Sequence, residues 1–207
     1  MAIRMKKMIR ILLFIFFNIF GGGLGIVFSQ KKYDVVVYGG SSGGFIAAIQ
    51  ASKMGKTVLL LEPTNHVGGM NVEGLGCTDI DNHREFQNSP AVGGMALEFY
   101  RRVSKHYGKL KEFNNMLLSR EKKPELWRFE PHVAQKVIND WLSEHPIDIV
   151  TGAKLKSRKS VTKDRTQILS IRTNKGVFSG TVFIDGTIEG DLLAAAGVTT
   201  VIGREPN

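Results

Sequence analysis

A strand, a glycine-rich turn, a helix, a second strand and a carboxylate follow one another within residues 33–62, and this order constrains the fold more than any other feature. Residues 33–38 form a continuous run rich in β-branched residues, which is typical of a strand buried on both faces of a parallel sheet. Residues 42–54 are small and apolar, and residues 57–61 are apolar again. The stretch therefore predicts one βαβ unit of an α/β fold.

The turn between the first strand and the helix is predicted to bind phosphate. Gly39 and Gly44 occupy the first and last glycine positions of the pattern G-x-G-x-x-G, and Ser41 stands at the middle one. The first glycine allows a sharp turn and the last allows the helix to pack closely on the strand, while the helix N-terminus faces the phosphates. Ser41 departs from the pattern, but its side chain is small and its hydroxyl can donate to a phosphate oxygen. An ordinary strand-to-helix turn is the alternative.

A carboxylate at the end of the second strand strengthens this interpretation. Glu62 lies 18 residues after Gly44, close to the offset expected of an acid that accepts hydrogen bonds from an adenosine ribose. Its negative charge would repel a 2′-phosphate, so NADP is disfavoured, whereas spacing alone does not separate NAD from FAD. An ordinary surface glutamate at a strand end is the alternative.

The rest of the chain alternates helical and strand patterns. One helix is predicted where apolar residues recur at helical spacing before Gly108, and another begins at Pro131. Residues 109–126 are polar and are predicted to be irregular. The remaining predicted elements are a strand over 147–150, two or three strands over 167–185 with turns at 174–176 and 179–180, and a short helix over 189–196. The whole predicts a Rossmann-like α/β fold with a parallel sheet and an inserted β-meander.

The first 29 residues have the composition of a secretory signal peptide. Four basic residues precede an almost unbroken apolar run from residue 11 to residue 28, and Val27 and Ser29 are small enough for cleavage after Ser29. We therefore expect an exported protein, periplasmic or secreted, with the folded domain over residues 30–207. An uncleaved membrane anchor is the alternative, because the apolar run is just long enough to span a bilayer.

Charge and cysteine usage exclude several other classes of protein. The formal net charge is +9, and part of it comes from the N-terminal segment. A basic cluster between Lys154 and Arg165 has no aromatic residues among it, which favours a solvated hairpin face over a nucleic-acid surface. With Cys77 as its single cysteine the chain has no internal disulfide framework, and its histidine spacing shows no zinc motif.

Four separated motifs resemble a known family. They are residues 33–79, AVGGMALEFYRRVSKHYG from residue 91, WRFEPHVAQKV from residue 127, and VFIDGTIEGDLLAAAGVTTVIGRE from residue 182. In this order they resemble the FAD-dependent oxidoreductase family of glutathione-reductase-like fold, some of whose members carry the label xanthan lyase. A serine or threonine at the position of Ser41 is usual in that family, and the resemblance implies FAD as the cofactor.

The resemblance also implies which residues lie along the cofactor. The stretch 74–79 is similar to the family's segment near the isoalloxazine ring, with Cys77 expected to be a packed apolar residue, and adenine is expected near residues 150–154. Asp185 resembles an aspartate region that lies along the ribityl and phosphate portion. The predicted cofactor-binding residues are Gly39, Gly40, Ser41, Ser42, Gly43, Gly44, Glu62, Gly68, Gly69, Met70 and Asp185.

We expect this chain to be an FAD-dependent oxidoreductase in which the flavin accepts a hydride or electrons from a small-molecule substrate. The alternatives are a carbohydrate-processing protein like those labelled xanthan lyase and a non-catalytic nucleotide-binding fragment. Nothing in the sequence assigns a catalytic residue, and neither nucleic-acid binding nor stable membrane insertion after signal cleavage is expected. Because similar family members continue well beyond residue 205, the domain is expected to be truncated at its C-terminus, without its substrate domain, and inactive alone.

Overall fold

The computed structural model describes residues 31–157, 159–201 and 203. Six strands form one sheet in the order β3-β2-β1-β6-β5-β4. The first four strands of that order are parallel, and β5 pairs antiparallel with both of its neighbours. The strands are β1 Lys32–Tyr38, β2 Val58–Glu62, β3 Ile147–Thr151, β4 Val161–Asp164, β5 Gln167–Thr173 and β6 Gly176–Asp185. The predicted Rossmann-like α/β fold is confirmed.

Strand β1 lies between β2 and β6, and β1 and β2 together carry the most buried part of the sheet. Val36 and Val37 are fully buried, as are Leu60 and Leu61 of β2. Continuous branched and aliphatic runs suit strands that are covered on both faces, because every side chain then leaves water. The register places Tyr38 opposite both Leu61 and Asp185, so the carboxyl ends of β1, β2 and β6 are level.

Helices cover one face of this sheet. Phe45 of the first helix, Phe99 of the second and Trp141 of the fourth share one apolar cluster with Val37 and Leu60. The apolar side chains of these helices therefore face the sheet. The α-helices are α1 Ser42–Lys53, α2 Gly94–His106, α3 Leu110–Ser119, α4 Pro131–Ser143 and α5 Asp191–Ala195.

Side chains from the β-meander, which consists of β4, β5 and β6, pack on the opposite face. Ile171 of β5 and Phe178 of β6 pack in a second cluster with Val36 and Leu59. The expected turn at residues 179–180 is wrong, because β6 continues through it. A Cβ on Gly180 would lie 2.7 Å from the Cγ2 atom of Val36, so glycine provides space for a neighbouring strand there and does not mark a turn.

The expectation that residues 109–126 are irregular is also wrong. They contain α3 and the 3-10 helix Pro124–Trp127, and these two elements build a third apolar cluster around Phe113, Met116 and Trp127. The rings of Tyr100, Phe113 and Trp127, the last two fully buried, pack edge to face and supply the burial that holds these short helices in place.

Some predictions fall wholly or partly outside the described residues. The signal peptide at 1–29 lies wholly outside them, and so does Arg158 of the basic cluster. Two other residues of that cluster, Lys163 and Arg165, lie on the hairpin formed by β4 and β5. Within the described part of the chain, no helix has the length and apolar character needed to cross a bilayer.

Candidate functional site

The glycine-rich turn is held together by direct contact between backbones. Gly39 has a φ of +97°, which glycine adopts readily, and its N–H donates to Leu61 O at 2.7 Å. A Cβ on Gly44 would lie 1.9 Å from Gly39 O, and a Cβ on Gly186 would lie 2.7 Å from the Cα of Gly44. Three glycines from the ends of β1 and β6 and from the first turn of α1 therefore meet where no side chain fits.

Ser41 joins this contact through its side chain. Its hydroxyl donates to Gly186 O at 2.5 Å and does not cap α1. The single hydroxyl proton is thus used within the protein, in contrast to the expected donation to a phosphate. What Ser41 offers to an anion is its backbone N–H at the N-cap of α1.

The first turn of α1 presents backbone donors at the carboxyl end of the sheet. The first intrahelical bond runs from Phe45 N–H to Ser41 O, so the N–H groups of Ser42, Gly43 and Gly44 have no acceptor inside the helix. Ser42 and Gly43 are solvent-exposed. Together with the helix dipole, this arrangement suits an anion such as a pyrophosphate.

Glu62 lies at the end of β2 directly beside this turn. One carboxylate oxygen accepts from Gly40 N–H and the other from Thr64 N–H, both at 2.6 Å. The residue is only 6% exposed. Each carboxylate oxygen can accept a second hydrogen bond, so Glu62 both fixes the turn and keeps acceptor capacity at its edge.

The segment after Glu62 folds back onto the turn. Gly68 N–H donates to Gly40 O at 2.7 Å, and Gly68 and Gly69 have φ values of +134° and +54°. A Cβ on Gly69 would lie 3.2 Å from the Cα of Ser41, so this segment packs against the N-cap of α1. Met70 follows with its side chain largely exposed. The structure thus brings Gly68 and Gly69 to the predicted phosphate turn.

Asp185 ends β6 beside the same turn, but its carboxylate is already bonded within the protein. One oxygen accepts from the N–H and hydroxyl of Thr187, and the other accepts from Leu193 N–H at 2.8 Å. These bonds fix the loop after β6 and the start of α5. Asp185 therefore orders Gly186 and the segment that follows it.

The position of Cys77 differs from the one expected for residues 74–79. The expected packed position is wrong, because Cys77 is exposed and lines an open cavity of about 370 Å³ with Tyr107 and Phe129. Gly76 is the buried residue of this segment, since a Cβ there would lie 1.9 Å from Phe129 O.

Within the described residues, no group of three or more His, Cys, Asp or Glu side chains could hold a metal ion.

Tyr38 borders the site from the second face of the sheet. Its hydroxyl accepts from Leu155 N–H at 3.0 Å, which ties the segment after β3 to the end of β1. Burial raises the pKa of Tyr38 above its ordinary value, and the nearby carboxylates add to the rise. Tyr38 is therefore neutral at physiological pH and contributes packing and a hydrogen bond to the site.

These contacts fit the ADP part of a dinucleotide. The glycine contact leaves an open approach to the N-terminus of α1, where donors are available for a pyrophosphate. Glu62 is level with that turn and keeps acceptor capacity of the kind that ribose hydroxyls require. The predicted residues from Gly39 to Gly44, with Glu62, Gly68 and Gly69, thus lie together at one end of the sheet.

Comparison with known proteins gives a consistent result. The sequence model of a family described as FAD dependent oxidoreductase matches residues 34–207. No curated protein matches the chain. Two solved structures with similar folds are an L-proline dehydrogenase from P.horikoshii, with a TM-score of 0.58, and an L-amino acid deaminase from Proteus vulgaris that lacks its specific insertion sequence, with a TM-score of 0.51.

The similarity to both solved structures is one of fold. Each is 16% identical to this chain in sequence. The alignments cover 84% of this chain and 58% of the dehydrogenase, and 79% of this chain and 55% of the deaminase. The chain thus spans less than three fifths of the length of either structure.

Proposed function

We propose that this chain, which belongs to the FAD dependent oxidoreductase family, forms the FAD-binding part of an oxidoreductase whose flavin accepts a hydride or electrons from a small-molecule substrate. The family assignment indicates FAD as the cofactor. When bound, the flavin supplies the electron-accepting ring, while the protein supplies binding, orientation and electrostatics. The observation that carries the proposal is the contact of Gly39, Gly44 and Gly186 beside the open N-terminus of α1.

Each part of the site has a proposed role in holding the cofactor. The N–H groups at the start of α1 hold the pyrophosphate, since they are unpaired in the helix and lie at its positive end. Glu62 accepts hydrogen bonds from the adenosine ribose with the acceptor capacity that Gly40 and Thr64 leave free. Gly68 and Gly69 bring the segment after β2 close to the phosphates.

Charge and burial at Glu62 support FAD over an NADP-type cofactor. A buried carboxylate beside the ribose position repels a 2′-phosphate, and FAD has none there. Asp185 acts indirectly in this proposal, because its bonds to Thr187 and Leu193 fix the loop that contains Gly186. Met70 is exposed beside the turn and is proposed to lie along the cofactor.

Flavin titration followed by anaerobic reduction tests the proposal. The purified chain is titrated with FAD and with NADP, and binding is followed by quenching of flavin fluorescence or by calorimetry. The FAD complex is then mixed, without oxygen, with pools of amino acids, hydroxy acids and sugars, and loss of flavin absorbance is recorded. We expect FAD to bind in preference to NADP. Bleaching of the flavin by one pool would identify the substrate class and would show that the chain is active alone, against the expectation from the sequence. Binding of NADP in preference to FAD would contradict the proposal.

No observation favours the two other functions considered from the sequence. Neither the family match nor the two solved structures points to a carbohydrate-processing enzyme such as those labelled xanthan lyase. A non-catalytic nucleotide-binding role has no separate support either. The substrate of the proposed oxidoreductase is left to the reduction experiment.

We also propose that the protein is exported. Support comes from the composition of residues 1–29, in which Arg4, Lys6, Lys7 and Arg10 precede an apolar run that ends in small residues. The absence of a twin arginine in that segment favours transport of the unfolded chain by the general secretory route. FAD would then be acquired after transport.

A further inference from the structure

The tip of the β5–β6 hairpin is fixed against the segment that follows β3. Asn174 N–H donates to Lys154 O at 3.0 Å, and Lys154 N–H donates to the Asn174 side-chain oxygen at 2.8 Å. Buried Thr173 accepts from Lys175 N–H at 3.0 Å. The two hydrogen bonds between Asn174 and Lys154 fix the position of the tip. The bond from Lys175 to Thr173 then fixes the backbone of Lys175.

The side chain of Lys175 extends from this tip over the backbone of Gly152. A Cβ on Gly152 would lie 3.4 Å from the Lys175 Cε atom, 3.9 Å from its Nζ atom and 3.8 Å from the Asn65 Oδ1 atom. Gly152 has a φ of +66°, so a side chain at this position would be strained, although its contacts with Lys175 and Asn65 would be ordinary ones. The ammonium group therefore lies beside Gly152 in the loop that follows β3, on the side where Asn65 of the loop after β2 also approaches.

These two loops are bonded to Glu62. Ala153 N–H donates to Glu62 O at 2.8 Å, and Gly152 N–H donates to Thr64 O at 2.6 Å. Thr64 N–H in turn donates to the Glu62 carboxylate. The Lys175 ammonium thus lies at the same end of the sheet as the proposed ribose acceptor, on the side of β3.

The charge on Lys175 is not used by another side chain in the described part of the chain. The ion pairs within 4 Å among the described residues involve the basic side chains Lys31, His66, Arg102, Lys123 and Lys136. None of these pairs includes Lys175. An exposed ammonium has three donors and a flexible stem, so it can turn toward an acceptor placed beside it.

We propose that Lys175 is a cofactor-binding residue that donates a hydrogen bond to the adenosine portion of FAD. Adenine ring nitrogens and ribose oxygens are neutral acceptors that suit such a donor. The inference rests on the proposed function, because it takes FAD to be the ligand of the glycine-rich turn. It adds the hairpin tip, which lies 113 residues beyond Glu62 in the sequence, to the adenosine end of the site.

Affinity measurements on four forms of the full chain test this role. They are the unsubstituted chain, Lys175→Ala, Lys175→Arg, and Lys53→Ala as a matched control that removes one exposed lysine at the far end of α1. Binding of FAD is followed by fluorescence quenching at low and high salt, and ADP is used as the competitor. Circular dichroism melting establishes that each form is folded.

Loss of a hydrogen bond from a charged donor predicts that Lys175→Ala binds FAD and ADP about tenfold more weakly, at low and high salt alike. Lys175→Arg keeps a donor and should recover most of the affinity, while Lys53→Ala should match the unsubstituted chain. Equal affinity of Lys175→Ala and the unsubstituted chain would overturn the inference, and so would a loss that high salt abolishes, since long-range charge is screened. The preference of the unsubstituted chain for FAD over NADP tests the proposed function, whereas the difference between that chain and Lys175→Ala tests Lys175, so the two can fail separately.

Discussion

The Cα of Gly44 is so close to the carbonyl of Gly39 that a Cβ on Gly44 would lie 1.9 Å from the Gly39 oxygen. Two atoms at that distance overlap, and the crowding atom belongs to the backbone, so it cannot turn away as a side chain would. Gly43, one residue earlier in α1, has only the Ser41 hydroxyl oxygen 4.0 Å from such a Cβ. The two neighbouring glycines of one helix therefore differ sharply in what they tolerate.

Replacing Gly44 by alanine is expected to lower stability and FAD binding together. Overpacking against fixed backbone costs about 3 kcal/mol, and relief requires α1 to move away from Gly39 and Gly186. Urea unfolding and FAD titration measure the two effects. The matched control is Gly43→Ala, which should unfold no more easily than the unsubstituted chain because alanine favours helix by up to about 1 kcal/mol. Equal stability of the two variants would contradict the glycine contact.

Replacing Glu62 by glutamine is expected to destabilise the fold in the absence of FAD. Both carboxylate oxygens accept backbone N–H bonds, from Gly40 and Thr64, so a glutamine NH₂ group would face one of these donors. We expect a loss of about 1 to 3 kcal/mol, the usual cost of an unsatisfied buried donor. FAD affinity should fall at least about tenfold, since a charged ribose acceptor is lost as well.

Glu73→Gln provides the control for this experiment. Glu73 is half-exposed, and among the residues that the structure describes it forms an ion pair with His66 alone, at 3.3 Å. Chemical unfolding of this variant should match the unsubstituted chain within about 0.5 kcal/mol. If Glu62→Gln matched it as well, Glu62 would have no part in fixing the glycine-rich turn.

Ser41→Ala is expected to reduce stability more than FAD affinity. The hydroxyl donates to the carbonyl of buried Gly186, and its loss should cost about 1 kcal/mol of unfolding free energy. FAD affinity should change by less than about threefold, because the backbone N–H of Ser41 is kept. A large loss of affinity at unchanged stability would show instead that the hydroxyl contacts the phosphates. Thermal melting with and without FAD separates these outcomes.

The ion pair between Arg102 and Glu144 is expected to contribute to stability only above acidic pH. Two hydrogen bonds of 2.6 and 2.9 Å from the guanidinium lower the pKa of Glu144 below its ordinary value of 4.5. A lowered folded-state pKa means that the stabilisation is complete above pH 4.5 and disappears as the pH falls through the folded-state value.

Urea unfolding of Glu144→Gln checks this pH dependence. We expect the variant to be less stable than the unsubstituted chain by under about 1 kcal/mol at about pH 7, because Glu144 is half-exposed and screened by solvent. The difference should shrink as the pH falls below the lowered pKa of Glu144, because both chains then carry a neutral side chain at this position. A difference that persists at acidic pH would assign the effect to packing.

Export is expected to remove residues 1–29. Fractionation followed by mass spectrometry of the N-terminus should find the mature chain outside the cytoplasm, beginning at Gln30. Replacing Ile11 and Leu12 by charged residues should keep the chain inside, because the apolar run would be broken. A cytosolic mature chain that retains residues 1–29 would contradict the proposal.

The sequence predicted the central βαβ unit and α4 because their apolar patterns are long and uninterrupted. It missed α3, whose amphipathic pattern is short and whose stability comes from burial of Phe113 against Trp127, a contact 14 residues apart. It also read Gly180 as a turn, since nothing local distinguishes a glycine that makes space for Val36 from one that bends the chain.

The candidate site shows the same limit. The pattern from Gly39 to Gly44 and the offset of Glu62 identified the turn, because both are local. Gly186 and the hydroxyl bond of Ser41 to it were missed, since they depend on the pairing of β1 with β6.

The bond between Ser41 and Gly186 joins residues 145 positions apart, which bears on the order in which the protein is made. A ribosome synthesises the whole G-x-G-x-x-G-like motif well before β6 and Gly186 emerge. A nascent chain that stops before β6 contains the motif without the backbone that closes it. Under the proposed function, nucleotide binding therefore requires a sheet that is assembled as far as β6.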